Sequence, residues 1–400
     1  MANNEDFIIQ HRLDDVRTLA LKKGPEGIDM PWCLQQIEGW QIARRKLQRW
    51  ANADRQLWFP PKISMEQCSS EQTASYKQQL AERLLAPDQR NHLVDITGGF
   101  GIDFSYMSAS FQKATYIERQ EHLCNIANHN FPLLGLNNAK VIQDDSTAVD
   151  IQADIIFADP ARRDESGKKT VAIEDCTPNI NEMQDRLLAR TRYLIIKFSP
   201  MLDIAQALRT LRHVTEIHII SVKGECKELL LVLKGGSEEE THDEELRYFC
   251  VNLDSDDTTL SCTEEERHAS PQILQEEEAG QLPSFLFEPN SSVLKAGCQD
   301  ILCKLYGIKK LHPCSNLFVG HSGIGHFPGR QFTITAYSDF GKKGLKTLLK
   351  DVQQANLTIR NFPASVAELR KKLKLREGGD VYLFATTMCN GSHVLIRCTK

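Results

Sequence analysis

The fold is decided by the stretch Leu93-Val94-Asp95-Ile96-Thr97-Gly98-Gly99-Phe100-Gly101-Ile102-Asp103. Its first four residues are typical of a short buried strand, and the residues after Gly101 predict the start of a helix. Gly98, Gly99 and Gly101 have no Cβ and can adopt positive φ, so a ligand can lie directly against the backbone there. A strand, a glycine-rich turn and a helix in this order open an α/β nucleotide pocket. The sequence therefore predicts a nucleotide site where this strand ends.

Acidic residues follow the next three predicted strands. The second apolar run ends at Glu118, which lies 23 positions after Asp95, and an acid at that offset can accept both hydroxyls of a ribose. The third leads into Asp145-Ser146, where an acid can bind an adenine amino group, and the fourth leads into Asp159-Pro160. Because ligands bind outside the carboxyl ends of parallel strands, we expect these side chains to line one site.

The spacing of the glycines separates two nucleoside-binding chemistries. Dinucleotide-binding enzymes use G-x-G-x-x-G, in which the third glycine lets helix and strand pack closely. Here the pattern is Gly99-x-Gly101-x-x-Phe104, which places a bulky ring at the third position. The spacing disfavours a nicotinamide-dependent oxidoreductase, which we keep as an alternative.

The order Asp-x-x-Gly-Gly-x-Gly, acid, Asp-Ser and Asp-Pro resembles the class I S-adenosylmethionine-dependent methyltransferases over roughly residues 91–235. The resemblance implies an α/β fold with a Rossmann-like seven-stranded sheet, one strand antiparallel, and S-adenosyl-L-methionine as cofactor. It also implies that the first acid and the glycine turn hold the methionine end, the second-strand acid the ribose and the third-strand acid the adenine. The cofactor-binding residues predicted in this way are Asp95, Thr97, Gly98, Gly99, Gly101, Asp103, Glu118, Arg119, Asp145, Ser146 and Asp159.

The catalytic residues are expected after the fourth strand, at Asp159, Pro160 and Arg162. Methyltransferases that act on exocyclic base amines carry Asp or Asn, two prolines and an aromatic residue at this place, which accept the amine hydrogens and stack the base. This chain keeps the acceptor but has Arg162 instead of the aromatic residue. A guanidinium can stack on a base or hold a phosphate. The polar loop at 163–169 can ride over the site.

A covalent mechanism is the alternative to direct transfer. An acid-Pro-Pro-Arg sequence also occurs in enzymes that methylate uridine at carbon five, and these need a cysteine nucleophile near the end of the fifth strand. That strand ends here in Lys197-Phe198-Ser199-Pro200, and Cys176 is either the nucleophile or a buried structural residue. We expect direct attack by a substrate nitrogen or oxygen, which Asp159 orients or deprotonates.

The 400 residues suffice for several domains, and we expect four segments. These are a helical N-terminal region (1–90), the methyltransferase domain (91–235), an acidic stretch with a ferredoxin-like α+β module (236–330) and a THUMP-like α+β domain (331–400). The motifs Arg-Asn-Phe-Pro, Leu-Arg-Lys-Lys-Leu and Gly-Gly-Asp-Val-Tyr-Leu-Phe-Ala-Thr-Thr in the tail resemble the THUMP-like domain of a group of bacterial methyltransferases, which follows a ferredoxin-like module. THUMP modules help enzymes grip structured RNA, so the resemblance implies an RNA partner.

The charge distribution agrees with an anionic partner. The formal net charge is −5, yet residues 236–280 carry 15 acidic and 2 basic side chains, so the rest of the chain is basic. Residues 341–377 contain 10 basic and 3 acidic side chains. Net charge argues only for non-specific attraction, so a non-catalytic RNA-binding adaptor with a degenerate pocket is a further alternative.

Composition excludes several other classes. No window approaches 18 uninterrupted apolar residues and the first six residues are polar and acidic, so we expect a cytoplasmic protein without a membrane span or secretion signal. The 12 cysteines lack a C-x-x-C pair, which favours reduced thiols. Cysteines and histidines crowd residues 298–326 without a recognisable zinc spacing, and we predict no metal there. The four tryptophans, all between residues 32 and 58, either stack on bases or form a helical core.

Overall fold

The computed structural model describes residues 3–53, 56–162, 173–236, 245–254, 257–278 and 280–400. It divides into two compact units, the first comprising residues 1–216 and 228–244 and the second comprising 217–227 and 245–400. The loop expected to cover the site, at 163–169, and the side chain of Arg162 lie outside the described parts of the chain.

Helices form the N-terminal part of the first unit. They are Asn4–His11 (α1), Val16–Ala20 (α2), Met30–Lys46 (α3), Gln48–Ala51 (α4), Lys62–Gln67 (α5) and Glu71–Leu84 (α6). Ser70 caps α6 by accepting a hydrogen bond from the Thr73 amide, as its position before the helix predicts. Trp50 is 2% exposed and packs against Phe100, whereas Trp58 stacks on His129. These two tryptophans therefore serve the core of the unit.

A mixed sheet with flanking helices follows. Its part of the chain contains the strands His92–Asp95 (β1), Lys113–Glu118 (β2), Ala139–Gln143 (β3), Ala153–Ala158 (β4), Ala161–Arg162 (β5), Cys176–Thr177 (β6), Thr191–Phe198 (β7), Val214–Val222 (β8) and Glu225–Lys234 (β9). The helices are Ile102–Met107 (α7), Glu121–Leu133 (α8), Ile180–Leu188 (α9) and Ile204–Thr210 (α10).

Six strands of the sheet lie in the first unit, in the order β9-β7-β4-β1-β2-β3. The strands β7, β4, β1, β2 and β3 run parallel, and β9 is antiparallel to β7. The predicted α/β class is confirmed, and among these six strands β9 is the reversed one. The apolar runs Ile155–Ala158 and Leu194–Ile196 are almost fully buried, which is typical of parallel strands covered on both faces.

The second unit is α+β. It contains Arg247–Asn252 (β10), Thr258–Thr263 (β11), Glu264–Arg267 (α11), Phe285–Pro289 (β12), Ser291–Ala296 (α12), Ile301–Tyr306 (α13), Lys309–Lys310 (β13), Phe318–Gly320 (β14), Gly329–Asp339 (β15), Lys342–Leu348 (α14), Asn356–Arg360 (β16), Val366–Leu373 (α15), Tyr382–Thr387 (β17) and His393–Thr399 (β18). Seven of these strands form a sheet in the order β13-β14-β12-β15-β18-β17-β16, in which only β16 and β17 pair in parallel. Helix α14 ends at Leu348, and Asp351, three residues later, has φ +67°.

Candidate functional site

The ends of five parallel strands bring most of the predicted site residues to one edge of the sheet. Asp95 is the last residue of β1 and Glu118 the last residue of β2, while Asp145 and Asp159 follow β3 and β4. Because these strands are neighbours in the sheet, their carboxyl ends form one rim, which we call the strand-end rim. The fifth strand, β7, adds Lys197 to this edge.

The glycine turn is tied to the second strand. Gly99 has φ +56°, and its amide donates to Glu118 Oε2 at 2.9 Å. A Cβ on Gly99 would meet only Thr97 O, at 3.6 Å, so the turn faces open space at this position. A Cβ on Gly98 would instead lie 2.3 Å from the Tyr116 ring. Gly99 therefore leaves room for a ligand, whereas the missing Cβ of Gly98 serves internal packing.

The third glycine has a mixed role. Gly101 has φ +82°, and a Cβ there would lie 2.9 Å from Phe131 Cζ. Phe104, at the position where a dinucleotide site has its last glycine, is fully buried against Tyr116 and Phe131. The ring fills the space that close packing of helix and strand would need, which counts against a nicotinamide site.

Glu118 points along the strand-end rim towards the turn. Its Oε2 accepts from the Gly99 amide, and its Oε1 accepts from the Gln120 amide at 2.8 Å. Two backbone donors thus hold the carboxylate in one orientation. A carboxylate has lone pairs beyond these two bonds, so it can still accept hydrogen bonds from a diol.

The acid after the third strand is held in a similar way. The amide and hydroxyl of Thr147 donate to Asp145 Oδ1 at 2.9 and 2.8 Å, and these bonds lower the pKa of the carboxyl group. Arg119 Nη1 lies 4.0 Å from Asp145 Oδ2, which brings two predicted cofactor residues together. Ser146 is 5% exposed.

Asp95 is buried beneath the turn rather than facing solvent. It is 1% exposed, and its Oδ1 accepts from the amide of Thr97 at 2.9 Å. Burial raises the pKa of Asp95 to about 8, and the charges of Asp103 and Asp159 act in the same direction. The Thr97 hydroxyl accepts from the Asp159 amide at 2.6 Å, so this threonine joins the ends of β1 and β4.

The predicted residue Asp103 belongs to a buried cluster of charges. Its Oδ1 lies 3.0 Å from Lys77 Nζ, and its Oδ2 accepts from the Ser69 hydroxyl at 2.7 Å and lies 3.4 Å from Lys197 Nζ. Burial alone would raise the pKa of Asp103, but the two lysines lower it on balance. The side chain of Asp103 is thus engaged by protein groups, and its role in cofactor binding stays a prediction.

Four residues of this cluster are not among the site residues predicted from the sequence. They are Ser69, Lys77, Lys197 and Glu228, which with Asp103 and Asp159 form what we call the buried charge network. Lys77 lies on the buried face of α6 and Lys197 in the apolar run of β7. A lysine at a core position of a helix or strand is unusual unless it is paired, and that signal could have identified both.

The remaining predicted residues lie beside the strand-end rim. Pro160 is buried directly after Asp159. Arg162 lies in β5, which pairs with the residues of β6. Cys176 is 5% exposed, which favours the structural interpretation. Among the residues that the structure describes, no three His, Cys, Asp or Glu side chains cluster so as to hold a metal ion.

The cofactor implied by the resemblance fits this geometry. Gly99 offers an open cradle, and fixed carboxylates stand at the ends of β2 and β3 at positions suited to ribose and adenine.

Within the described ranges, no helix combines the length and apolar character needed to cross a bilayer.

A solved structure is similar to this chain over nearly its whole length. The crystal structure of a "putative methyltransferase" from Porphyromonas gingivalis W83 is 31% identical, superposes with a TM-score of 0.83, and the match covers 99% of this chain and 97% of that one. A THUMP domain-like family model matches residues 329–400, and a ferredoxin-like domain model matches residues 285–328. No curated protein is significantly similar in sequence.

More distant structures share only part of the fold. The M. jannaschii tRNA m1G37 methyltransferase is 15% identical with a TM-score of 0.30, over 43% of this chain and 52% of that one. An RNA methyltransferase from Salinibacter ruber in complex with S-adenosyl-L-homocysteine is 13% identical with a TM-score of 0.31, over 43% and 95%. These similarities are too distant to support a functional assignment.

Proposed function

Because the chain belongs to the family of class I methyltransferases that carry ferredoxin-like and THUMP-like domains at the C-terminal end, we propose that it methylates RNA with S-adenosyl-L-methionine as donor. The observation that carries the proposal is the strand-end rim, where Gly99, Glu118, Asp145 and Asp159 meet at the ends of adjacent parallel strands. The donor supplies the methyl group.

Each residue of the strand-end rim has a distinct task in this proposal. Gly99 leaves space for the methionine end, Glu118 accepts the ribose hydroxyls and Asp145 accepts the adenine amino group. Arg119 lies beside Asp145, with its Nη1 4.0 Å from Asp145 Oδ2, and we assign it to the same end of the donor. The protein mainly aligns donor and acceptor, because an in-line displacement depends on the relative position of the reacting atoms.

The acceptor group is placed at Asp159, whose side chain is 41% exposed. A substrate nitrogen that donates a hydrogen bond to this carboxylate directs its lone pair at the methyl carbon. With the donor bound, the methyl carbon would form its new bond to this nitrogen as its bond to sulfur breaks, and the electron pair of that bond would stay on sulfur. The nitrogen then loses a proton to water. Cys176 takes no part, so no covalent intermediate with the enzyme is needed.

An RNA substrate is supported by the second unit. Its basic segment at residues 341–377 presents exposed lysines on α14 and α15, among them Lys342, Lys343, Lys371 and Lys372. Such side chains neutralise phosphates and give salt-dependent affinity without sequence readout. The THUMP-like match to residues 329–400 covers the whole of this segment.

Two measurements test the proposal. Calorimetric titration with S-adenosyl-L-methionine should show binding at one site. Incubation with labelled donor and total RNA from a deletion strain, followed by nucleoside mass spectrometry, should identify one methylated nucleoside. Asp159→Ala should retain donor binding and lose turnover. Full activity of that variant would exclude the role of Asp159, and RNA binding without donor binding would indicate a non-catalytic adaptor.

A further inference from the structure

The lysine at the end of β7 makes the closest contact with the proposed acceptor-binding residue. Lys197 is 8% exposed, and its Nζ lies 2.6 Å from Asp159 Oδ2. The same nitrogen donates to Ser69 Oγ at 3.0 Å and lies 3.4 Å from Asp103 Oδ2. Three oxygen atoms from α7, the α5–α6 connection and the end of β4 therefore fix one ammonium group.

The second oxygen of Asp159 is left for a ligand. Among the contacts within the described parts of the chain, Oδ1 of Asp159 makes no hydrogen bond, while Oδ2 is taken by Lys197. The side chain is 41% exposed although Lys197 beneath it is buried. Asp159 is thus held by Lys197 through one oxygen, while its side chain remains partly exposed.

We propose that Lys197 is a positioning residue of the methyl-transfer site, which holds Asp159 through Oδ2 so that Oδ1 accepts the hydrogen bond of the substrate N–H or O–H group. This inference rests on the proposed function and deepens it. The sequence leaves two roles open to Asp159, which are to orient the acceptor group or to deprotonate it. Because its carboxylate is already bound to an ammonium group, the inferred role is to orient the acceptor and not to remove its proton. The proton goes to water once the new bond has formed.

The charges around Lys197 favour its role as a permanent cation. Burial favours the neutral amine, but Asp159, Asp103 and Glu228 outweigh that effect and raise the pKa of Lys197 well above its usual value. Lys77, the second cation of the buried charge network, also pairs with Asp103 and Glu228. Lys197 therefore remains charged throughout the neutral range and does not serve as a base.

The network also explains why Lys197 cannot turn away from Asp159. Ser69 Oγ lies 2.7 Å from Asp103 Oδ2 and 3.1 Å from Glu228 Oε1. It also accepts hydrogen bonds from the ammonium groups of Lys77 and Lys197. Each buried charge has an opposite neighbour in this arrangement. Moving one lysine would leave a buried carboxylate unpaired, which is costly in a low-dielectric interior.

The test compares Lys197→Met with Lys197→Arg. Methyl transfer is followed with labelled donor and total RNA from a deletion strain, and donor affinity is measured by calorimetry. Lys197→Met should lower kcat by roughly 10- to 100-fold with an unchanged Kd for the donor, because misplacing a reacting group costs about that much. Lys197→Arg should recover most of the rate. Lys310→Met is the matched control, since Lys310 is 3% exposed and pairs with Asp300 at 2.5 Å in the second unit.

A double variant separates positioning from a general structural effect. If Lys197 acts through Asp159, then adding Lys197→Met to Asp159→Asn should change kcat by less than about twofold, since coupled residues are not additive. Independent multiplication of the two effects would overturn the proposal. Unchanged kcat in Lys197→Met with an intact Asp159 would overturn it as well.

A spectroscopic readout needs neither donor nor substrate. In protein labelled with ¹⁵N-lysine, the buried Lys197 ammonium should give a signal that is absent in Lys197→Arg and shifts in Asp159→Asn. A signal unaffected by Asp159→Asn would overturn the proposed contact, and this test remains available if Lys197→Met does not fold. Wild-type protein that fails to bind the donor would refute the proposed function, whereas the ammonium signal would still report on the Lys197–Asp159 contact.

Discussion

The buried charge network makes a strong prediction about the stability of the first unit. Lys77 is fully buried, and its Nζ lies 3.0 Å from Asp103 Oδ1 and also contacts Glu228. Lys77→Met keeps the apolar stem but removes the charge, so two buried carboxylates must share Lys197. Removing one partner of a buried ion pair costs about 3–5 kcal/mol. We expect Lys77→Met to lower the free energy of unfolding at pH 7 by that amount.

The assay uses the distribution of tryptophan. All four tryptophans lie between residues 32 and 58, so tryptophan fluorescence during urea unfolding reports on the first unit alone. The control is Lys62→Met, which removes an exposed ion pair with Glu38 and should cost less than about 1 kcal/mol. Adding Glu228→Gln to Lys77→Met removes the unpaired charge, so the double variant should lose less than the sum of the single losses.

The pH dependence of this loss follows from Asp103. Its pKa is lowered in the folded state, so its ion pairs add stability above the ordinary value of 3.8, and that contribution disappears as the pH falls through the folded pKa. The deficit of Lys77→Met should therefore be full at pH 7 and shrink below about pH 4. A variant within 0.5 kcal/mol of wild type at pH 7, on the order of an exposed substitution, would refute the reasoning.

Three further predictions concern the strand-end rim. Gly99→Val should abolish donor binding in calorimetry because its side chain enters the open cradle, whereas Gly135→Val, also at positive φ with open surroundings but outside this rim, should bind normally. Glu118→Gln should weaken donor binding by roughly 10- to 100-fold, the equivalent of losing hydrogen bonds from ribose to a charged acceptor. Burial raises the pKa of Asp95 to about 8, so unfolding between about pH 4 and 8 releases a proton and the free energy of unfolding falls as the pH rises. Asp95→Asn should lack this dependence. Parallel plots of unfolding free energy against pH for wild type and variant would contradict the prediction.

The residues of the strand-end rim could be predicted because their signals are local. A buried strand, a glycine turn and an acid at a strand end each occupy a few consecutive positions, and the parallel α/β arrangement then brings the strand ends together. The different roles of the three glycines in the turn could not be predicted. Gly98 packs against Tyr116 and Gly101 against Phe131, and both contacts depend on side chains from other elements.

The buried charge network was inaccessible to pattern reasoning because its members are distant in sequence. Lys77 and Glu228 are separated by 151 positions, and Lys197 and Ser69 by 128. Periodicity places Lys77 on the same helical face as Ala74 and Leu80, and it marks that lysine as unusual without naming a partner. Strands such as β17 and β18 differ in this respect, because their apolar runs are continuous and lie within six or seven consecutive residues.

The buried charge network also connects the N-terminal helices to the proposed methyl-transfer site. The sequence predicts a helical region ending near residue 90 and a methyltransferase domain after it, yet Ser69 and Lys77 come from the former and Asp103, Lys197 and Glu228 from the latter. Without the helices, two buried carboxylates and one lysine would lose their hydrogen-bonding partners directly beneath Asp159. Buried charges tolerate such a loss poorly. Residues 1–216 accordingly form one compact unit with residues 228–244, in which Lys77 of α6 is linked to Asp159 through Ser69 and Lys197.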